Sequence, residues 1–262
     1  MISFVLATRN DGYGGELAGV GNFAMRRLEI TVSSILRLRC ELEIVVVEWN
    51  PPPGRPRLAE VLAGLPVRII TISPELQALL DADNPGRRLG FYEYAAKDIG
   101  IRQARSEYII ACNPDNIFPA AEFLRAVAGL AGDVLVRADR KEIAADNAAT
   151  GIEQLLDLAD AGRLEVTGVY KGAGGDFCGF TRATYFRVGG FLAVHGNRGV
   201  DTEFQQRARK AGVAVLQEYV HYHIHHENAV REAAGRPLGV GACSPIRPEI
   251  ARSWDQFASE AS

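Results

Sequence analysis

Short apolar runs alternate with amphipathic stretches from the first residue onward. Residues 2–7 are almost continuously apolar and predict a buried first strand. Residues 22–38 carry Phe23, Leu28, Ile30, Val32, Ile35, Leu36 and Leu38 at spacings near three and four, the period of a helix. Residues 42–47 form a second apolar run, and Pro51-Pro52-Pro53-Gly54 stops it. The pattern then predicts a short helix over 58–65, a strand over 67–72, a helical turn over 74–82 and a helix over 91–104. A fourth strand follows over 108–112, bounded by a turn signal. Strands and helices alternate through this part with short connections, which implies a parallel sheet of the nucleotide-binding type.

Beyond residue 119 the pattern is less regular. Helices are predicted over 121–131 and 151–161, and a strand over 134–137. The polar, alanine-rich stretch 139–160 reads as a crossover and not as a linker, since it lacks a Pro/Ser bias. Residues 172–180 are glycine-rich, which permits close backbone approach to a ligand. Residues 181–191 predict a short helix stopped by Gly189-Gly190, and 199–212 a longer one. A last strand over 213–220 runs on into His221-Tyr222-His223-Ile224-His225-His226. No internal repeat is visible.

The candidate chemistry sits where strands end. Asn113-Pro114-Asp115-Asn116 closes the fourth strand, at the edge where open α/β sheets bind ligands. Asn113 and Asp115 are two apart and can reach toward one hard cation on a diphosphate; the plainer alternative is an Asx-Pro turn. The first strand opens into Thr8-Arg9-Asn10-Asp11-Gly12-Tyr13-Gly14-Gly15, a polar glycine-rich loop whose backbone N–H groups can meet a phosphate. It carries neither GxGxxG nor GxxxxGK[ST]. Glu48 ends the second strand at the same edge and can accept from a nucleobase imide or a ribose hydroxyl. Trp49 beside it fits packing better than base stacking. Arg87 and Arg88 lie on a loop that leads toward this edge and could face phosphates. Four of the five histidines fall within 221–226, a density that points to at least one metal-ligating imidazole. Strand alternation would put His221, His223 and His225 on one face and His226 on the other. Asp201 stands at the start of its helix, where an acid is also a common cap.

Composition narrows the class. Apolar residues make up 47% and charged residues 23%, the profile of an ordinary globular domain. A net charge of −3 excludes a general polyanion binder, so no nucleic-acid partner is expected. The four cysteines (Cys40, Cys112, Cys178, Cys243) are scattered. Cys112 and Cys178 in apolar runs read as reduced core residues, which favours a cytoplasmic location. No signal peptide is seen, and no apolar run approaches the ~20 residues of a transmembrane segment.

Three blocks resemble the GT-A-fold glycosyltransferases, most closely the broad family 2 group. The first runs from Ala95-Ala96-Lys97-Asp98-Ile99-Gly100-Ile101 through Ala104 to Ser106-Glu107-Tyr108-Ile109-Ile110. The second is Asn113-Pro114-Asp115-Asn116, standing where the family has its DxD metal motif, with Asn113 in place of the first acid. The third contains Gly175, Arg182, Gly189-Gly190-Phe191, Asp201-Thr202-Glu203-Phe204, Arg207 and Lys210-Ala211-Gly212; Val200 replaces the first acid of the family's acidic pair. The resemblance covers residues 4–226.

It implies an α/β GT-A fold: a single domain with a Rossmann-like, mostly parallel central sheet flanked by helices. That domain would span 1–230, with a nucleotide-sugar half (1–119) and an acceptor and catalytic half (120–230). Residues 231–262 would form a C-terminal extension or lid. It implies transfer of a hexosyl unit from a nucleoside-diphosphate sugar, UDP- or GDP-linked, to a glycan, lipid-linked or small-molecule acceptor. The cofactor would be a divalent cation, Mn2+ or Mg2+, held by Asp115 with His226 or His223. Thr8, Arg9, Asn10 and Glu48 would hold the nucleoside, with Arg87 or Lys97 and Asn113 near the diphosphate. Asp176 and Glu203 would contact donor sugar or acceptor, and Asp201 would be the general base of an inverting reaction. Three alternatives remain: a sugar-nucleotide nucleotidyltransferase, a degenerate GT-A domain that binds without catalysis, and a zinc scaffold built on the histidines.

Overall fold

The computed structural model describes residues 1–85, 89–128, 130, 132–172, 175–226 and 244–261. The first half builds a parallel layer from β1 (Ile2–Thr8), β2 (Leu42–Trp49), β3 (Arg68–Ile72) and β4 (Tyr108–Cys112), in the order β3-β2-β1-β4. Because β1 is apolar at nearly every position, it can be buried on both faces. Val5 and Ala7 join one core cluster, Phe4 and Leu6 another on the opposite side. Helices α1 (Phe23–Leu36) and α2 (Leu58–Val61) cover the second side, whereas α3 (Pro74–Asp83) and α4 (Glu93–Gln103) cover the first. Asn22 caps α1 by accepting from the Met25 N–H. Trp49 is fully buried and donates to Gln77 at 2.7 Å, so it packs the core.

The second half is mixed. A short β5 (Asn116–Ile117) is followed by α5 (Ala120–Ala128), β6 (Val134–Ile143), a 3-10 turn and α6 (Ile152–Asp160). Then come β7 (Gly168–Tyr170), β8 (Phe177–Thr181), α7 (Arg182–Val188), α8 (Val200–Lys210) and β9 (Ala214–Ile224). The sheet continues past β4 as β8-β6-β9-β5, with β7 on β6. Among the described residues here, only β6 and β9 pair in parallel. The sheet is therefore parallel in its nucleotide-type half and largely antiparallel beyond it.

Two strands differ from the sequence expectation. Residues 177–181, read as the end of a glycine-rich stretch and the start of a helix, form the buried β8 between β4 and β6. Gly179 interrupts the apolar signal, yet a side chain there would press on Leu130 at 3.2 Å. β6 extends to Ile143 and not to 137, through Asp139-Arg140-Lys141-Glu142. Charges in a strand hide it from a hydrophobicity pattern, and several of these are buried among partners.

The end of the chain, expected as a C-terminal extension or lid, is described only in part. Residues 231–243 of the expected extension lie outside the described residues. The remainder carries α9 (Pro248–Ser253), a 3-10 turn and β10 (Ala258–Glu260). β10 pairs antiparallel with β3, matching Ala258 to Ile72, and Ile250 and Trp254 enter the core beside α3 and α4. This part pairs with the sheet and packs into its core. Cys112 and Cys178 are free and buried, and burial pushes both thiols up to about 12.

Candidate functional site

The turn after β4 reverses the chain and feeds β5, which pairs with β9 so that Asn116 lies opposite His223. The Asp115 carbonyl accepts from the Ile224 N–H at 3.0 Å. Thr31 and Ser34 of α1 accept from the Asn116 and Phe118 N–H groups, which pins the turn. Asp115 is thereby set beside the end of β9. Its Oδ2 lies 3.0 Å from His226 Nε2, 3.5 Å from His223 Nε2 and 3.4 Å from Arg27 Nη1. Because β9 ends at Ile224, strand alternation no longer governs His226, and it turns onto the same carboxylate as His223. His225 stays largely exposed.

One ligand atom from each of Asp115, His223 and His226 lies within 4.8 Å of the others. Two imidazoles and a carboxylate suit a borderline or hard divalent cation. Among the described residues, Asp115 Oδ1 is buried without a hydrogen-bond partner, so one ligand oxygen is left to bind something else. The loop after β1 passes directly over the cluster. A Cβ on Gly14 (φ +94°) would lie 2.3 Å from Arg27 Nη2 and 3.1 Å from His226 Cβ. Tyr13 sets its ring edge-on to His226 at 5.1 Å. The donor set thus fits a divalent cation, with Arg27 as an adjoining positive charge.

Electrostatics follow the geometry. Burial pushes the Asp115 carboxyl up, but the charges and hydrogen bonds of His223 and His226 outweigh this and hold it well below the usual range. Burial draws His223 down, but Asp115 and Glu142 outweigh this and raise it to about 10.

A second cluster borders the first. Asn113 does not converge with Asp115 on one cation, as their spacing had implied. Its Oδ1 accepts from Lys97 Nζ at 2.6 Å, and its Nδ2 donates to Asp176 Oδ1 at 2.9 Å. The chain reverses between the two residues, so they face different neighbours. Lys97 is buried and spends its remaining donors on Glu93 Oε1 at 2.6 Å and the Gly175 carbonyl at 3.0 Å. Asp176 also accepts from Arg140 Nη1 at 3.1 Å, and His221 lies 3.9 Å away. Burial pushes the Asp176 carboxyl up, but His221, His223 and Arg140 bring it down to about 2. Burial raises the Glu93 carboxyl; Lys97 opposes the rise, and Asp201 and Asp176 add to it. Asp201 therefore shares the field of this cluster. It is buried in the first turn of α8, 3.7 Å from Arg137 Nη2.

The third sequence block proves to be scaffolding around Asp201. Arg182 donates to the Ile101 and Ala104 carbonyls at 2.7 Å and ties off the end of α4. Gly189 ends α7 at φ +91°, a left-handed geometry that favours glycine. Arg207 clamps the Val188 and Gly190 carbonyls at 2.6 Å, and Glu203 holds Arg207 with both oxygens.

The other expected residues have the following surroundings. Thr8 and Glu48 are register partners at one sheet edge. Glu48 already accepts from Arg57 (2.9 and 2.8 Å), Thr71 (3.0 Å) and the Leu58 N–H (2.8 Å). Asn10 bonds Asn22 and the Pro56 carbonyl, and Arg9 donates to the Gly90 carbonyl at 2.7 Å. Asn10, Glu48 and Glu203, expected on the nucleoside and on the sugar or acceptor, each have internal partners in this structure. Arg87 lies outside the described residues.

Sequence reasoning missed Arg27, Glu93, Arg137, Arg140 and Glu142. The three from β6 left no apolar signal, because Arg140 and Glu142 lie in the charged run Asp139–Glu142 and Arg137 stands just before it.

No protein-family model matches the chain, and no curated protein matches it. Among solved structures it resembles the mannosyltransferase PcManGT from Pyrobaculum calidifontis in complex with GDP-Man and Mn2+. That match has a TM-score of 0.51 at 15% identity and covers 98% of this chain and 69% of the other. It also resembles GalNAc-T7 with UDP, GalNAc and Mn2+, with a TM-score of 0.56 at 15% identity, over 86% of this chain and 44% of the other. The fold is that of the GT-A glycosyltransferases. No helix among the described residues is long and apolar enough to cross a membrane.

Proposed function

We propose that the protein is a cation-dependent glycosyltransferase that moves a sugar from a nucleoside diphosphate to an acceptor hydroxyl, with inversion. The observation that carries this reading is the Asp115–His223–His226 cluster, with a carboxylate oxygen unpartnered among the described residues, set under the Gly14 loop at the ligand-binding edge of a GT-A sheet. Both solved structures named above were obtained with a nucleotide or nucleotide sugar and Mn2+.

Asp115, His223 and His226 would hold Mn2+ or Mg2+, which would offset negative charge on a departing diphosphate. Thr8, Arg9 and Asn10 border the nucleoside side. Lys97, Asn113 and Asp176 form a hydrogen-bonded polar cluster that borders the cation residues. Asp201 accepts the proton of the acceptor hydroxyl while that oxygen bonds to the anomeric carbon. The bond from that carbon to the diphosphate breaks, and the diphosphate leaves with the electron pair. The acceptor is a glycan, a lipid-linked sugar or a small molecule.

A thermal-shift panel of UDP, GDP, TDP and CDP, each with and without Mn2+ and Mg2+, tests the donor site, since a ligand of the folded state raises the melting temperature. One nucleotide shifting it only with metal is the expected result; no shift with any pair would sink the reading. Asp201→Asn is expected to lower turnover by roughly 10²–10⁴-fold and to leave donor binding intact. The anomeric configuration of the product by NMR checks inversion. A second reading, a nucleotide-binding domain without catalysis, draws on Asn113 in place of an acid and on Arg137 beside Asp201. It predicts the same nucleotide shift with no transfer or hydrolysis of any donor.

A further inference from the structure

In the parallel pairing of β6 and β9, Glu142 lies opposite His223. Its side chain is almost fully buried, and its Oε1 stands 3.2 Å from His223 Nδ1. The other nitrogen of that ring, Nε2, faces Asp115 at 3.5 Å. A neutral imidazole has one N–H and one lone pair, and an acceptor at one nitrogen fixes the proton there. Glu142 is itself braced: Arg140 Nε lies 3.1 Å from its Oε2, and Arg140 reaches on to Asp176. Its Oε1 also lies 2.9 Å from Nδ1 of the exposed His225.

We propose that Glu142 is a positioning residue for the cation site: it holds His223 as the Nδ1–H tautomer and aims the Nε2 lone pair at the space shared with Asp115 and His226. The inference rests on the reading of those three residues as cation ligands. A carboxylate behind a ligating histidine restricts its rotation and raises its basicity, and loss of such a partner weakens metal affinity by roughly 10–100-fold.

The test uses Co2+ alone as the probe, titrated by calorimetry into the wild type, Glu142→Gln and Asp115→Ala. Melting of each metal-free protein serves as the structural control. The expected result is binding to the wild type, loss in Asp115→Ala, and affinity weakened by roughly 10–100-fold in Glu142→Gln, which still melts cooperatively without metal. Equal affinity in Glu142→Gln and wild type, with Asp115→Ala still deficient, overturns the positioning role and leaves the cation site standing. Absence of wild-type binding, or binding undiminished in Asp115→Ala, overturns both. Should Glu142→Gln fail to fold, 15N NMR of the wild-type histidines with Zn2+, a diamagnetic probe, decides. A proton on His223 Nδ1 supports the proposal, and metal on Nδ1 overturns it.

Discussion

At the residue scale the site is governed by where protons sit. His223, raised to about 10, carries a proton at neutral pH when no cation is present. A cation must displace that proton, so affinity should climb with pH up to that value, by as much as about tenfold per unit. Mn2+ titrations from pH 6 to 9, in buffers of different ionisation enthalpy, should show tightening and release of about one proton. A flat profile would remove His223 from the ligand set. The same shifts act on the metal-free fold in opposite directions. His223, raised above its unfolded value, stabilises fully below about 6.5, and that contribution is lost as pH rises through about 10. Asp176, depressed to about 2, stabilises above about 3.9, and its contribution is lost as pH falls through about 2. Melting temperature should therefore fall between pH 4 and 2, and Asp176→Asn should flatten that limb. An unchanged limb in the variant would show that the Asp176 contacts do not set it.

At the element scale, the decisive contact is between α4 and the parallel strands, because α4 carries Lys97 and ends where Arg182 caps it. The helix comes this close through Gly100: a Cβ there would meet Val5 Cγ1 at 2.6 Å and Val47 Cγ2 at 2.8 Å. Gly100→Ala should destabilise by about 1–3 kcal/mol, read from the urea midpoint, and a second change, Val47→Ala, should recover part of the loss. If Gly100→Ala were neutral, the helix would not be held at the distance seen. The motif-like block from Arg182 to Arg207 acts at this scale too. Its charged residues secure helix ends and a glycine turn, and the rigid frame they make sets the start of α8, where Asp201 sits.

At the scale of the whole molecule, the chain's end closes the sheet edge that β3 would otherwise expose. Trp254 is almost fully buried beside α3 and α4. Trp254→Ala should cost about 3–5 kcal/mol, and truncation at residue 243 should lower the melting temperature strongly. A tail that merely lay over the site would leave melting unchanged and alter only turnover. The mixed half of the sheet has a parallel role. By bringing β9 between β6 and β5, it joins segments more than a hundred residues apart around one carboxylate.

The sequence by itself determined the elements whose burial is local. β1, β2 and β4 are short apolar runs, α1 has helical spacing, and both kinds are legible because each meets its period within one stretch. It also marked Asp115 and the histidine cluster, since carboxylates and imidazoles at strand ends are rare enough to stand out. Only the tertiary structure decided which of them meet. Asn113 and Asp115 are two residues apart and face different partners, whereas His226, assigned by alternation to the face opposite His223, shares Asp115 with it. β8 and the outer part of β6 were hidden because their stability comes from non-local pairing and from charges neutralised across strands, not from an apolar run. Register, set by the pairing of β6 with β9 and of β9 with β5, turned scattered polar residues into a site, and no local pattern encodes a register between strands so far apart in the chain.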